Sequence, residues 1–397
     1  MTLLSGLRVL TVDQYGAGPY GGLHLADMGA DVIKIEPPEG DYARSIPPFT
    51  TPQGDDSLFF QALNRNKRSV ALDLGHPLGA SAFRRLVANA DAVLTNLRGE
   101  AVRRLGLGYD ALGEVNPAIV CAFLTGFGRQ GPRSNDGGFD YMLQAEAGIM
   151  SLAGEPDGPP VKAGVSIIDF AAGISSAMAL LAGVLSARET GRGGDVDVSL
   201  QDTAASLLNY VATWQLTGGY ETPRLARSAH PSLVPSQLFD CSDRPIIVMV
   251  NKELFWPRLT RAVGRPDWSD APDRCDFAAR LENRQQVVID LQALFATDTA
   301  ASWLERLVGH GVPCGPVRTV REAFETPEYL QRTVSFAHPH FGEVRSPGPL
   351  VRAGSEAVPQ RGPSLGAHTD EVLASVAGMS SAEISELKLA GAVRERG

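Results

Sequence analysis

The sequence predicts an α/β fold in which an open parallel sheet is followed by a smaller α+β domain. Two observations carry that expectation. Through residues 1–200 short apolar runs alternate with helix-like segments, and strand–helix–strand order implies parallel pairing through crossover helices. Near residue 201 the texture changes, and the rhythm does not return in the same form.

In chain order, LRVLTVD reads as the first strand, PYGGLHLADMG as the first helix and ADVIKIE as the second strand. The strand SVALDL, the helix GASAFRRLVANA and the strand DAVLTNL continue the pattern. A helical turn precedes NP, the strand AIVCAFLTGF follows, and a Gly-rich loop surrounds RQGPRSNDGGFD. The long pattern FAAGISSAMALLAGVLSARET ends at GRGG, where Gly191 supplies a left-handed cap and Arg188 suits the negative end of the helix dipole. DVDVSL is then a strand.

These elements make residues 1–200 a large domain. Residues 201–236 read as its linker: a helix near DTAASLLNYVATWQL gives way to a stretch rich in Gly, Pro, Ser and Thr. Residues 237–324 form the smaller unit, with strands at QLFD and IIVMV and helices at FWPRLTRAVG and RQQVVIDLQALFAT. The tail, 325–397, shows little apolar periodicity before HTDEVLASVAG. Its middle, FAHPHFGEVRSPGPLVRAG, reads as extended segments that must pack on another part of the chain.

The 397 residues, 44% hydrophobic and 20% charged, suffice for a sizeable core. A net charge of −9 argues against a nucleic-acid partner, which needs a basic face. No run of about eighteen apolar residues is expected to span a membrane, and MTLLSGLRVLTVD lacks the features of a secretory signal. Cys121, Cys241, Cys275 and Cys314 lie far apart without a CxxC pair, which suits neither a disulfide framework nor a zinc site. The expectation is a cytoplasmic protein.

Three features invite chemistry. Gly16, Gly18 and Gly21 form a GxGxxG match after the first strand, with Pro19 at the first helical position and Glu36 closing the second strand. The match allows dinucleotide binding, a purely structural turn, or another ligand at a helix N-terminus. NRNKRS concentrates Arg65, Lys67 and Arg68 before a strand, either facing phosphates or lying in a solvated loop. Asp169 follows an apolar strand and precedes the long helix, a position where an aspartate commonly caps free N–H groups.

Several segments in shared order resemble the class III coenzyme A transferases, the family that includes formyl-CoA and carnitine CoA transferases. They are AGPYGGLHLADMGADVIKIEPPEGD, NRNKRSVALDL, ADAVLTNLRGEAVRRLGL, NPAIVCAFLTGFGRQGP, FDYMLQAEAGIM, SIIDFAAG, RETGRGGDVDVSLQD, GVPCGPV and GPSLGAHTDEVL. The resemblance implies a Rossmann-like open sheet built from both ends of the chain, a smaller middle domain, and a homodimer of two interlocked rings. It implies an acyl-CoA donor and a carboxylic acid acceptor, with the CoA thioester as substrate and no metal or other cofactor.

By the same resemblance the nucleophile is Asp169 in VSIIDFAAG, passing through a mixed anhydride and an aspartyl-CoA thioester. Ala171, Ala172 and Gly173 leave room for the thioester. Gly16 and Ala17 lie in the loop that the family places beside the reacting carbonyl. For CoA itself the pattern points to the main chain around Leu72 and Asp73, to Asn96 and Leu97, and to Arg104. Pro37 replaces an arginine that some members carry after the second strand, with Arg44 or Lys67 as substitutes. The glycine-rich loop of formyl-CoA transferases has no counterpart in Ser228 to Ile246, which points away from formyl and oxalate substrates.

Two rival readings remain. α-Methylacyl-CoA racemases use a His and an Asp as opposed bases, but the matching His position is Phe139, which cannot accept a proton. A non-catalytic CoA-binding scaffold would keep the fold alone.

Overall fold

The computed structural model describes residues 2–352 and 358–393. Six strands, β1 (Arg8–Val12), β2 (Asp31–Glu36), β3 (Arg68–Ala71), β4 (Ala92–Thr95), β5 (Val120–Thr125) and β6 (Gly194–Ser199), form one sheet in the order β3-β2-β1-β4-β5-β6. Every pairing in it is parallel, as the strand–helix alternation predicts. The helices that matter here are α1 (Ala17–Asp27), α2 (Leu58–Asn64), α3 (Pro77–Val87), α4 (Gly99–Leu105), α5 (Tyr109–Leu112), α6 (Asp140–Glu146), α7 (Ile167–Thr190) and α8 (Leu200–Gly218).

The inner strands β1, β4 and β5 are largely apolar on both sides because helices cover both faces. On one face Leu10, Ile33, Val70, Val93 and Cys121 pack with Phe83 and Leu86 of α3 and with Val372 and Leu373 of the C-terminal segment. On the other, Val9, Val32, Leu94 and Val120 pack with Leu25 of α1 and with Leu180 and Val184 of α7. The strand order reverses between β1 and β4, which opens a crevice at the carboxyl ends of those strands.

Helices α1 and α7 approach each other to backbone distance. A Cβ on Gly21 would lie 2.6 Å from the Gly173 carbonyl oxygen, and one on Gly173 would lie 2.6 Å from that of Ala17. Gly21 of the GxGxxG match therefore serves helix packing, while Gly18 packs on Asp13 and Asn96 and Gly16 stands beside Asp169. Helix α1 begins at Ala17, so Pro19 is the third helical residue and not the first.

The chain divides into two compact units. One comprises Met1–Ala147, Gly164–Leu207 and Gln331–Gly397, and the other Gly148–Ala163 and Leu208–Leu330. The division inside α8 falls beside Asn209, whose φ of 37° is not helical. The second unit holds the antiparallel sheet of β7 (Ser236–Asp240), β8 (Pro245–Met249) and β9 (Cys314–Pro316). Phe239, Trp256, Phe295 and Trp303 form its core. In the first unit, β10 (Thr333–His338) and β11 (Gly342–Pro347) form the extended pair expected of the tail. The pair packs through Arg65, which donates to Ser346 Oγ and the Pro347 carbonyl. Residues Ala353 and Gly354 of the quoted tail segment lie outside the described residues.

The sequence reading found no membrane-length apolar run, yet α7 is long and apolar enough for one by length and composition, with mean hydropathy 1.8. Its inner face is taken up by the sheet: Gly183 packs against Val120 of β5.

Because α1 and α7 touch through bare backbone, Gly21→Ala forces overpacking. The expected cost is about 1–3 kcal/mol of stability, read as a lowered urea midpoint with an unchanged slope.

Candidate active site

At the carboxyl ends of β1, β4 and β5 a cavity of about 510 Å³ is lined by Gln14, Tyr15, Gly16, Ala17, Asn96, Leu97, Thr125, Asp140 and Asp169 among others. The loops after three neighbouring strands converge there with the N-terminus of α7.

Asp169 is the third residue of α7, and it does not cap that helix. The capping oxygen comes from Asp140 at the start of α6, whose Oδ2 accepts from Ile168 N–H at 2.7 Å and from Asp169 N–H at 3.0 Å. Gln144 Nε2 donates to the other oxygen of Asp140 at 2.5 Å, which holds this buried carboxylate in place. With the cap supplied from outside, the Asp169 carboxylate is left facing the cavity and accepts no hydrogen bond among the described residues. Its Oδ2 lies 3.4 Å from where a Cβ on Gly16 would stand. Burial, and then the charge of Asp140, push its pKa up to about 7.

Gly16 and Ala17 meet Asp169 across this cavity, at the N-terminus of α1. The first N–H groups of a helix have no intrahelical partner. Asn96 and Leu97 line the same cavity, but the Asn96 side chain is committed. Its Oδ1 accepts from Gln14 N–H at 2.9 Å, and its Nδ2 donates to the Gln14 carbonyl at 2.8 Å.

Leu72, Asp73 and Arg104 lie outside it. Leu72 is buried, with its N–H donating to the Glu36 carbonyl at 2.8 Å, and Asp73 N–H donates to the Ala392 carbonyl at 2.9 Å. Arg104 is exposed on α4. The arginine that does line the cavity is Arg98, whose guanidinium rests against Gly137. Among the described residues it has no ion-pair partner, and the segment TNLR carries it one residue past Leu97.

Most of the basic cluster is not a solvated loop: Arg65 and Lys67 are buried, and Arg68 is only partly exposed. Arg65 is buried against Asp27, with Nη2 to Oδ2 at 2.5 Å. Lys67 is buried and donates to the Pro19 carbonyl at 2.7 Å and to Asn64 Oδ1 at 2.9 Å; burial pulls its pKa down to about 7. Arg68 pairs with Asp31 on β2. Arg44 is bidentate on Glu36 at 2.8 and 2.7 Å, which leaves its Nη1 without a hydrogen bond among the described residues. Lys67 is not free to replace the arginine missing at Pro37, whereas Arg44 lines a second cavity together with Pro37; Glu36, which also accepts from Ser69, is not available to a ribose.

Residues 4–369 match CoA-transferase family III. The chain belongs to that family. Similar proteins include the succinyl-CoA:glutarate CoA-transferase of Mus musculus, 32% identical over 100% of this chain and 91% of that one. The succinyl-CoA:mesaconate CoA-transferase of Haloarcula hispanica is 34% identical over 94% and 96%. A crystal structure of a CaiB/BaiF family protein from Brucella suis superposes with a TM-score of 0.81 at 32% identity, covering 94% of this chain and 99% of that one. The protein is therefore a CoA-transferase, an enzyme that moves coenzyme A from an acyl-CoA donor to a carboxylate acceptor. Phe139, where racemases of the related branch place a base, lines the cavity as an apolar ring.

A carboxyl group whose pKa is higher in the folded than in the unfolded chain favours folding at low pH. That contribution is full below the ordinary aspartate range and is lost as pH rises towards 7. Asp169→Asn should accordingly gain stability over the parent at pH 8 but not at pH 4, read from paired urea titrations. Asp140→Asn keeps a capping oxygen and removes a charge, so the carboxyl of Asp169 should titrate at lower pH by carbon NMR.

Proposed function

We propose that Asp169 is the nucleophile of a CoA transfer between dicarboxylic acids. The observation that carries this reading is an unpartnered carboxylate at a helix N-terminus, facing a cavity next to Gly16. A pKa near 7 leaves a substantial anionic fraction at neutral pH and a more basic oxygen than an ordinary aspartate offers.

The carboxylate attacks the thioester carbonyl of the donor, the C–S bond breaks, and CoA leaves as the thiolate with a mixed anhydride on Asp169. The thiolate then attacks the aspartyl carbonyl and expels the donor acid, leaving CoA as a thioester on Asp169. The acceptor carboxylate displaces it to form a second anhydride, and attack of the thiolate on the acceptor carbonyl yields the new acyl-CoA and free Asp169. Each tetrahedral oxyanion gains roughly 3 kcal/mol from a backbone donor, for which the N–H groups of Gly16 and Ala17 are suited. No other cofactor enters these steps.

The names of similar proteins support succinyl-CoA as donor and a dicarboxylate such as glutarate or mesaconate as acceptor. Arg98 gives the cavity a cation for an anionic substrate group. For CoA, the main chain at Asn96 and Leu97 lines the cavity; Asp73 and Arg104 would meet a part of CoA that extends beyond it, and the buried Leu72 would not.

A homodimer, interlocked as the family resemblance implies, would cover the outer stripe of α7, where Ile174, Met178 and Leu185 are exposed at 40%, 67% and 69%. A cytoplasmic setting accords with the four free cysteines.

Incubation with succinyl-CoA, followed by mass spectrometry of peptides, should find CoA on Asp169. Asp169→Ala should lose exchange by at least about a thousandfold while keeping its fold. Exchange at the parental rate would refute the assignment.

A further inference from the structure

The loop joining β1 to α1 is held by more than its own turn. Tyr15 sits at φ 68°, a conformation that L side chains rarely adopt. Its N–H donates to Asp41 Oδ1 at 2.9 Å. One residue earlier, Gln14 is gripped by Asn96 at both its N–H and its carbonyl. Behind Asp41, Lys34 Nζ lies 2.9 Å from Asp41 Oδ2 and 2.6 Å from Asp13 Oδ1, with all three side chains at 0% exposure. Gly18 is pressed so close to Asp13 that a Cβ there would meet that of Asp13 at 2.8 Å.

Each contact acts on the same short segment. Asp41 also accepts from Ala43 N–H at 2.9 Å, and its own N–H donates to Glu36 Oε2 at 3.1 Å. The acceptor offered to Tyr15 is thus tied to β2 on two sides. Released from Asp41, Tyr15 would relax toward the negative φ that its side chain prefers, and the N–H groups at the start of α1 would turn with it.

We propose that Asp41 is a positioning residue: by holding the Tyr15 N–H, with Lys34 and Asp13 behind it, it enforces a left-handed turn that aims the Gly16 and Ala17 N–H groups at the carbonyl reacting on Asp169. The inference rests on the reading of Asp169 as nucleophile. Asp13 and Lys34 do not line the cavity, and their effect on the reaction passes through the loop.

Two pairs of variants test it in the full-length enzyme. Tyr15→Ala and Tyr15→Pro both remove the ring, but only proline deletes the N–H and locks φ negative. The side chains of the buried triad and the ion pairs among them are kept in both. Tyr15→Pro should have a kcat roughly 10- to 100-fold below Tyr15→Ala, with KM for the acyl-CoA within about threefold. Asp41→Ala should show a comparable fall, and adding Tyr15→Gly should restore kcat by several-fold, because glycine enters positive φ unaided. A purely structural Asp41 would lower the melting temperature, and glycine at position 15 would restore nothing.

Equal kcat in Tyr15→Ala and Tyr15→Pro, or an Asp41→Ala enzyme that glycine leaves unrecovered, overturns the proposal. Should Asp41→Ala fail to fold, the alanine-to-proline contrast decides by itself. The CoA adduct on Asp169 in the parent enzyme is measured separately. Its absence would sink the nucleophile while leaving the loop contrast readable.

Discussion

The close crossing of α1 and α7 is the constraint on which the site depends. Both helices begin at the crevice, so their separation sets how near Gly16 comes to Asp169. Glycines at 21 and 173 let backbone meet backbone, at distances where a single methyl group would collide with a carbonyl oxygen. A side chain at either position would force the two helix N-termini apart and open the site from below. The same contact places two helix dipoles with their positive ends toward one carboxylate, which favours its anion even as burial opposes it.

Around that crossing the protein places ionic struts where an ordinary core would be hydrocarbon. Lys34 is fully buried, and although burial works against its charge, the carboxylates of Asp13, Asp41 and Glu36 outweigh it and hold the ammonium firmly protonated. Arg65 with Asp27, and Arg44 with Glu36, are equally desolvated. Such pairs contribute little net stability against apolar substitutes, but breaking one leaves an uncompensated charge. They are directional, and direction is what a loop between a strand and a helix N-terminus needs.

Much of the fold was legible. Alternation of apolar runs with helical periodicity specified the parallel sheet, because crossover connections leave few other solutions. The shared order of segments such as AGPYGGLHLADMG and SIIDFAAG pointed to the family and to Asp169. What failed was the assignment of exposure. NRNKRS looks like a charge run, and nothing in one dimension shows that Asp27 at the end of α1 waits for Arg65, or that Asp31 on β2 waits for Arg68 on β3. The same blindness gave Asp169 the capping task that Asp140 performs from another element. Arg98 lies inside the matched segment ADAVLTNLRGEAVRRLGL beside other arginines from which one dimension does not distinguish it, and the cavity that singles it out exists only after folding.

Element order, strand direction and the glycines at 16, 18 and 21 follow from local periodicity and backbone freedom, which are properties of neighbouring residues. Which polar groups are spent and which remain free was decided by tertiary structure alone. A carboxylate becomes available only when others satisfy the helix it begins, and those partners lie tens of residues away in the chain.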